Sequence, residues 1–303
     1  MEKIKRIEMT QEELDEALAE HELWLSSEGI KGARLVLKNV DLEGVSLVNK
    51  NLQKAYLTNV NLTNSNMAYI NLTGSDLVQV QMVSVNLSNA TLRNINLIDS
   101  NLTNASLQNA DLSSAKITET SFNGANLRRT ILFKSCLHHV RFQYADLRSA
   151  NLSNIEINES CFVGAVLNFS NIIFSEIKKT NFVGTKFKKA VLRCINFIDV
   201  DLANTNFQQA HLENVILTRV DLINTFMEAA ILTEVTLNEV DLTAADLCFA
   251  RVQRIKLFKT NLYNVDIGTR FHERTISVKG SDINPINLSD LDTNEEIQEV
   301  SIK

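Results

Sequence analysis

Cys136, His138 and His139 come nearest, in type and spacing, to a catalytic group. A thiol two positions before an imidazole could be activated as a nucleophile if the ring took its proton. Surface residues on a regular wall are the reading preferred for the three. His21 beside Glu22 could act as an acid–base pair, but a surface pair on a helix explains both. There is no Gly-rich phosphate loop, no H-E-x-x-H and no G-x-S-x-G elbow. The four cysteines, Cys136, Cys161, Cys194 and Cys248, show neither zinc-ligand spacing nor a disulfide framework, and read as free thiols. The chain is expected to be no enzyme and to hold no cofactor or metal.

A five-residue period sets the elements that would carry these side chains. From Leu37 to Ile267 every fifth residue is Leu, Ile, Met, Phe or Val, giving 47 centres without an insertion. Two residues before each centre stands a small or aliphatic residue, except at Lys50. A helix repeats at 3.6 residues and a strand at 2, so neither gathers these positions on one face. A coil of four short sides does, if each unit turns its centre and the residue two before it inward. Twenty residues make a coil, and coils stack by backbone hydrogen bonds.

The units Ala110-Asp111-Leu112-Ser113-Ser114, Ala125-Asn126-Leu127-Arg128-Arg129 and Ala150-Asn151-Leu152-Ser153-Asn154 carry a family resemblance. They look like the A-(D/N)-L-x-x unit of the bacterial pentapeptide repeat proteins. The resemblance covers about three quarters of the chain. It implies an all-β solenoid, a right-handed quadrilateral β-helix, here of about twelve coils with an N-terminal capping helix.

The register places Phe122, Phe142, Phe162 and Phe182 on one side of four successive coils, as an internal core ladder. Phe187 and Phe207 should form a second, shorter column. On the side of Leu42 and Leu62, the second residue after each centre is mostly Gly or Asn, which tolerate positive φ. Tyr144 is the oddity there, and a local distortion is expected at it. Lys50 should carry its charge out of the open end, or mark a coil not yet regular.

Residues 1–34 read as an N-terminal helical cap, 35–268 as the repeat β-helix, and 269–303 as a C-terminal cap with an acidic tail. Thr10 and Glu13 have the spacing of a capping box, and Leu14, Ala17, Leu18 and Leu25 give the helix an apolar face beside Trp24. No apolar stretch approaches the roughly 20 residues of a membrane span, and the charged N-terminus lacks the apolar segment of a signal peptide. A single elongated, soluble, cytoplasmic domain is the expectation.

Charge narrows the partners. In the family resembled here, some members mimic B-form DNA in shape and charge, bind DNA gyrase and protect it from quinolones or peptide toxins. That reading implies a strongly acidic column. Residues 35–267 instead hold 20 acidic and 21 basic side chains, so the net charge of −6 belongs to the ends. Asp201, Asp221 and Asp241, 20 residues apart, should stack as a carboxylate ladder. They either bond to corner backbone or form a strip for a partner or cation. Arg128, Arg129, Arg148, Lys186, Lys188 and Lys189 make another side locally basic. Asp146 interrupts that stripe, so a solvated or protein-binding face is expected, without direct nucleic-acid binding. Phe249, Phe258, Tyr263 and Phe271 collect near the C-terminal end, under a cap or as the interface of a homodimer. The leading expectation is a non-enzymatic scaffold that presents ladders of outward side chains on a rigid rod to another protein. The alternative is a DNA mimic acting on gyrase.

Overall fold

The computed structural model describes residues 6–267, together with the backbone of the strands His272–Glu273 and Ile276–Lys279. Contacts in stacked repeats reach only neighbouring coils, and here they group into two compact units, 1–146 and 147–303. Each unit is a parallel β-solenoid with a 20-residue coil. In the first, Tyr56, Leu57 and Thr58 pair with Asp76, Leu77 and Val78. In the second, Asn171–Lys178 pairs with Val191–Ile198 in the same register. The two units hold about 11 turns in all, where the period predicts about twelve. The end coils are incomplete: Lys50 is exposed, and Ile267 only half-buried.

Hydrogen-bond bookkeeping explains why five residues suffice. In the unit Asp221–Thr225, Asp221 N–H donates to Val200 O one coil back, and Leu222 N–H to Asp241 O one coil on. Asn224 N–H donates to Thr243 O, and Thr225 N–H closes the turn on Leu222 O. The remaining donor, Ile223 N–H, goes to the Asp221 carboxylate at 2.8 Å. No backbone donor is orphaned, which a buried wall requires. This is the physical reason for Asn or Asp before the centre. Asn61, Asn101, Asn181 and Asn261 accept in the same way from Thr63, Thr103, Val183 and Tyr263. Along one side, at Tyr56, Asp76, Asn96, Lys116 and Cys136, the unit is a strand whatever residue stands there.

The inward pair forms the core. Leu57, Leu62, Met67 and Leu72 are fully buried, as are the Ala, Val, Ser and Thr two positions before successive centres. Buried hydroxyls find carbonyls: Ser75 Oγ donates to Leu52 O at 2.7 Å, and Thr185 Oγ1 to Phe162 O at 2.7 Å. All four rings of the predicted ladder are buried. In the first unit Phe122 stacks on Phe142 with centroids 5.0 Å apart. In the second, Phe162 stacks on Phe182 at 4.7 Å and Phe187 on Phe207 at 4.9 Å.

Positive φ is not confined to one side. From Asn39 to Asn264 every fifth residue takes φ between 46° and 71°, whatever its type. Tyr144, at φ 59°, is as regular as its neighbours, so the expected distortion is absent. Geometry overrides residue preference, because the corner must turn at every unit.

The N-terminal cap is built from β1 (Ile7–Glu8) and helix α1 (Gln11–Ser26). The first coil contributes β2 (Val36–Lys38) and β3 (Val40–Asp41), and β1 pairs in parallel with β3. Thr10 Oγ1 accepts Glu13 N–H, while the Glu13 carboxylate accepts Thr10 N–H at 2.8 Å, closing the capping box. His21 corrects the surface-pair reading. It follows Leu14 and Leu18 at i+7 and i+3 on the inward face, and it is fully buried. Its Nδ1 accepts Leu35 N–H at 3.0 Å, tying α1 to the first coil. The ring stacks on Trp24 at 5.7 Å.

This joint should be acid-labile. Burial, first of all, pushes the His21 pKa down, opposed by the Gln53 carbonyl and reinforced by Arg34. A folded-state pKa below the ordinary imidazole value of about 6.5 means stability that is present above that value and lost as pH falls toward the folded one. Protonated Nδ1 can no longer accept Leu35 N–H. Trp24 is the only tryptophan in the chain, so its fluorescence reports on the cap alone. A Trp24 transition below about pH 6, preceding loss of the solenoid's circular dichroism, is expected, and His21→Leu should abolish it. Coincident transitions would refute the joint.

Past Ile267 the ladder continues with a step of 21 residues. Arg251 pairs with His272, and Ile255 with Ile276. That step is one residue longer than the period, so the five-residue frame shifts there.

Candidate partner-binding faces

The Asp ladder exists. Asp201 and Asp221 are bridge partners, as are Asp221 and Asp241. Each carboxylate serves its own corner: Asp201 accepts Ala203 N–H at 3.0 Å, Asp221 accepts Ile223 N–H at 2.8 Å, and Asp241 accepts Thr243 N–H at 2.8 Å. Burial and the flanking Asp201 and Asp241 carboxylates raise the pKa of Asp221 against that hydrogen bond. The raised value means that the ionised ladder costs stability, a cost that vanishes as pH falls and Asp221 takes a proton. Asp221→Asn keeps the acceptor and drops the charge. It should raise stability by about 0.5 kcal/mol at neutral pH, with no gain at low pH. Asp221→Ala strands Ile223 N–H and should cost about 1 kcal/mol. Urea denaturation at pH 7 and pH 3 checks both.

Some of the other outward charges pair in columns. In the second unit, the corner residues Glu159, Lys179, Asp199, Arg219, Glu239 and Lys259 alternate in sign every 20 residues. Lys179 Nζ lies 3.1 Å from Glu159, Arg219 Nη2 donates to Asp199 at 2.9 Å, and Lys259 Nζ lies 3.1 Å from Glu239. Arg193 and Arg254 meet Glu213 and Glu234 at 2.8 and 2.6 Å. The first unit has Arg34 on Asp76 at 3.4 Å, and Arg93 on Asp111. This zipper was missed in the sequence, although writing the chain in rows of twenty displays it.

The predicted basic residues are treated differently. Arg128 reaches Asp146 only at 3.9 Å, and Arg129 forms no ion pair among the described residues. Both are exposed in the first unit. In the second unit, Lys189 stands over the exposed ring of Phe169 at 5.8 Å, and Lys188 beside it has no carboxylate partner among the described residues.

The described C-terminal aromatics stand on three successive sides. Phe249 is at a corner, Phe258 ends the strand Ile255–Phe258 under Lys259 Nζ at 5.5 Å, and Tyr263 sits on the following side. All three are exposed, and Phe271 lies outside the described residues.

Cys136 and His138 flank buried Leu137 on one strand, both exposed, with the His138 and His139 rings 4.1 Å apart. Cys248 lies with Asp246 and Asp266. Burial, then hydrogen bonds to those two carboxylates, push its thiol up to about 12. A thiol that stays protonated donates to its neighbours and is no nucleophile. Among the described residues, no helix is long and apolar enough to cross a membrane.

Comparison with known proteins agrees with this geometry. The family of pentapeptide repeats matches in 8 copies, over residues 36–68, 55–94, 95–132, 135–175 and 195–233. No curated protein matches the sequence. Among solved structures, HetL, a pentapeptide repeat protein involved in heterocyst differentiation regulation from the cyanobacterium Nostoc sp., is 22% identical. The match covers 76% of this chain and 90% of that one, at a TM-score of 0.47. A trypsin-treated form of QnrB1, a plasmid-mediated fluoroquinolone resistance protein, is 19% identical over 66% of this chain and 88% of that one, at a TM-score of 0.29. A thylakoid-lumen pentapeptide repeat protein from Arabidopsis thaliana is 25% identical over 32% of this chain and 65% of that one, at a TM-score of 0.24. With the period, the stacked coils and the family match together, the chain belongs to the pentapeptide repeat family.

Proposed function

We propose that this chain is a non-enzymatic protein-binding scaffold, whose outward side chains form the surface read by another protein. One observation carries the reading: the inward positions are uniform while the first residue after each centre is not. Down one side of the first unit that residue runs Val48, Ala68, Ser88, Gln108 and Arg128, all outside the core. Such positions change chemistry without changing the fold, which is how solenoids present binding surfaces. Four free thiols agree with a reducing, cytoplasmic setting.

A DNA mimic acting on gyrase is the other reading that the family brings. The near balance of acidic and basic groups along the repeats gives it little support, because mimicry needs a continuous negative field. A gyrase supercoiling assay with quinolone should show no protection at any protein concentration.

Affinity capture from the native host tests the scaffold itself. Variants with the first residue after each centre changed along one whole side should keep their circular dichroism, and one such side should lose a partner. If every side proves dispensable for function, the scaffold reading is wrong.

A further inference from the structure

Between Glu119 and Asp146 the chain has no carboxylate, although it runs through more than one full coil. The same stretch holds Arg128, Arg129, Lys134 and Arg141, all exposed. Elsewhere in the first unit's repeats the acids and bases are interspersed, and Arg34 and Arg93 meet the carboxylates of Asp76 and Asp111. Arg129, Lys134 and Arg141 have no ion-pair partner among the described residues, and the contact of Arg128 with Asp146 is loose at 3.9 Å. Four exposed cations with no carboxylate between them in the chain are poised for charge from outside.

The belt is also apolar in the right place. Rounding the corner from Arg129, the wall presents Ile131, then Phe133, then Lys134, whose Nζ stands over the Phe133 ring at 5.2 Å. Ile131 is 37% exposed, although it precedes a buried centre where Asn or Asp commonly stands. The run is therefore cation, apolar, aromatic, cation across two adjoining sides of one coil.

We infer that this belt is a docking surface for a short acidic segment of a partner protein, with an apolar residue of that segment seated on Ile131 and Phe133. Flanking charge chooses between protein and nucleic acid. Asp111 is the bridge partner of Ile131 on the preceding coil, and Asp146 that of Asn126 on the following one. Carboxylates therefore stand about one coil spacing, roughly 4.8 Å, to either side of the belt. A polyphosphate running along the stack would leave it within one or two residues and meet carboxylates. An acidic peptide of a few residues crossing the belt would not. The inference rests on the protein-binding reading above and names the chemistry of the partner.

Fluorescence anisotropy of a labelled twelve-residue peptide of repeated Glu-Glu-Leu provides the test, at low and at raised salt. The full chain should bind it, and affinity should fall at least tenfold in the double variant Arg129→Glu, Lys134→Glu. A control with the same charge change on exposed residues of the first coil, Lys50→Glu, Lys54→Glu, should bind within about twofold of the natural chain. Circular dichroism should be unchanged in both variants. Equal binding by the belt variant and the control, or no binding at low salt, overturns the belt. Tighter binding of a twelve-nucleotide oligo-dT than of the peptide overturns the choice of protein over nucleic acid. In either case, loss of the native partner by another outward-side variant would leave the scaffold standing, so the two failures are distinguishable.

Discussion

Phe182→Asp is expected to abolish cooperative folding of the second unit. The ring is fully buried, stacked on Phe162 at 4.7 Å and tilted against Phe187 at 5.6 Å. Aspartate there would lose the aromatic packing and bury a charge without a partner, a combined cost of several kcal/mol that rivals the whole stability of a typical domain. Phe182→Ala separates the two terms. It removes the ring but buries no charge, and should cost about 3–5 kcal/mol. Thermal denaturation followed by far-UV circular dichroism checks both. A near-natural melting temperature for Phe182→Asp would mean that the inward register is wrong.

Gly32→Ala should cost more than about 2 kcal/mol of cap stability. Gly32 has φ 72°, and a Cβ built on it would stand 2.2 Å from Glu20 O and 2.7 Å from Trp24 N. Both are helix backbone and cannot yield as a side chain can. The strand entering the first coil passes α1 closely there, with Ala33 N–H donating to Glu20 O. Gly44 is the internal control. Its φ of 71° is similar, but a Cβ on it would meet nothing within 4 Å. Gly44→Ala should show only the conformational cost of a left-handed residue, about 1 kcal/mol. Trp24 fluorescence during urea denaturation should report an early cap transition in Gly32→Ala and none in Gly44→Ala. Equal behaviour would mean that the cap does not depend on this close passage.

What was legible in the sequence is what repeats. The inward pair, the phenylalanine ladder and the capping box of Thr10 and Glu13 all follow from local spacing, because one geometric solution serves every unit. The Asp ladder was legible as a column, and its corner hydrogen bonds follow from the unmet donor after each centre. Features that depend on a neighbour 20 residues away were harder. The Glu159 to Lys259 zipper is a vertical pattern that horizontal reading passes over. His21 was misjudged by its polarity and its neighbour Glu22, whereas its helical spacing from Leu14 and Leu18 put it inside. Tyr144 was misjudged the opposite way: a residue preference was taken as a requirement, although stacking fixes the corner for any side chain. The 21-residue step past Ile267 shifts the frame in sequence, but the backbone ladder spans it.

The account as a whole holds that each unit spends two side chains on the core and one on the turn's free N–H, and leaves the side chains of its last two positions to function. A glutamate scan across the unit Ala125–Arg129 measures this division directly, through the stability of five variants of one protein. Ala125→Glu and Leu127→Glu should each cost several kcal/mol, since both positions are fully buried. Asn126→Glu should cost about 1 kcal/mol, because the Asn126 carboxamide accepts Arg128 N–H at 3.2 Å. Arg128→Glu and Arg129→Glu should lie within about 0.5 kcal/mol of the natural chain. If either arginine variant is destabilised as strongly as Leu127→Glu, the outward positions are part of the fold, and they are not free to carry a binding surface.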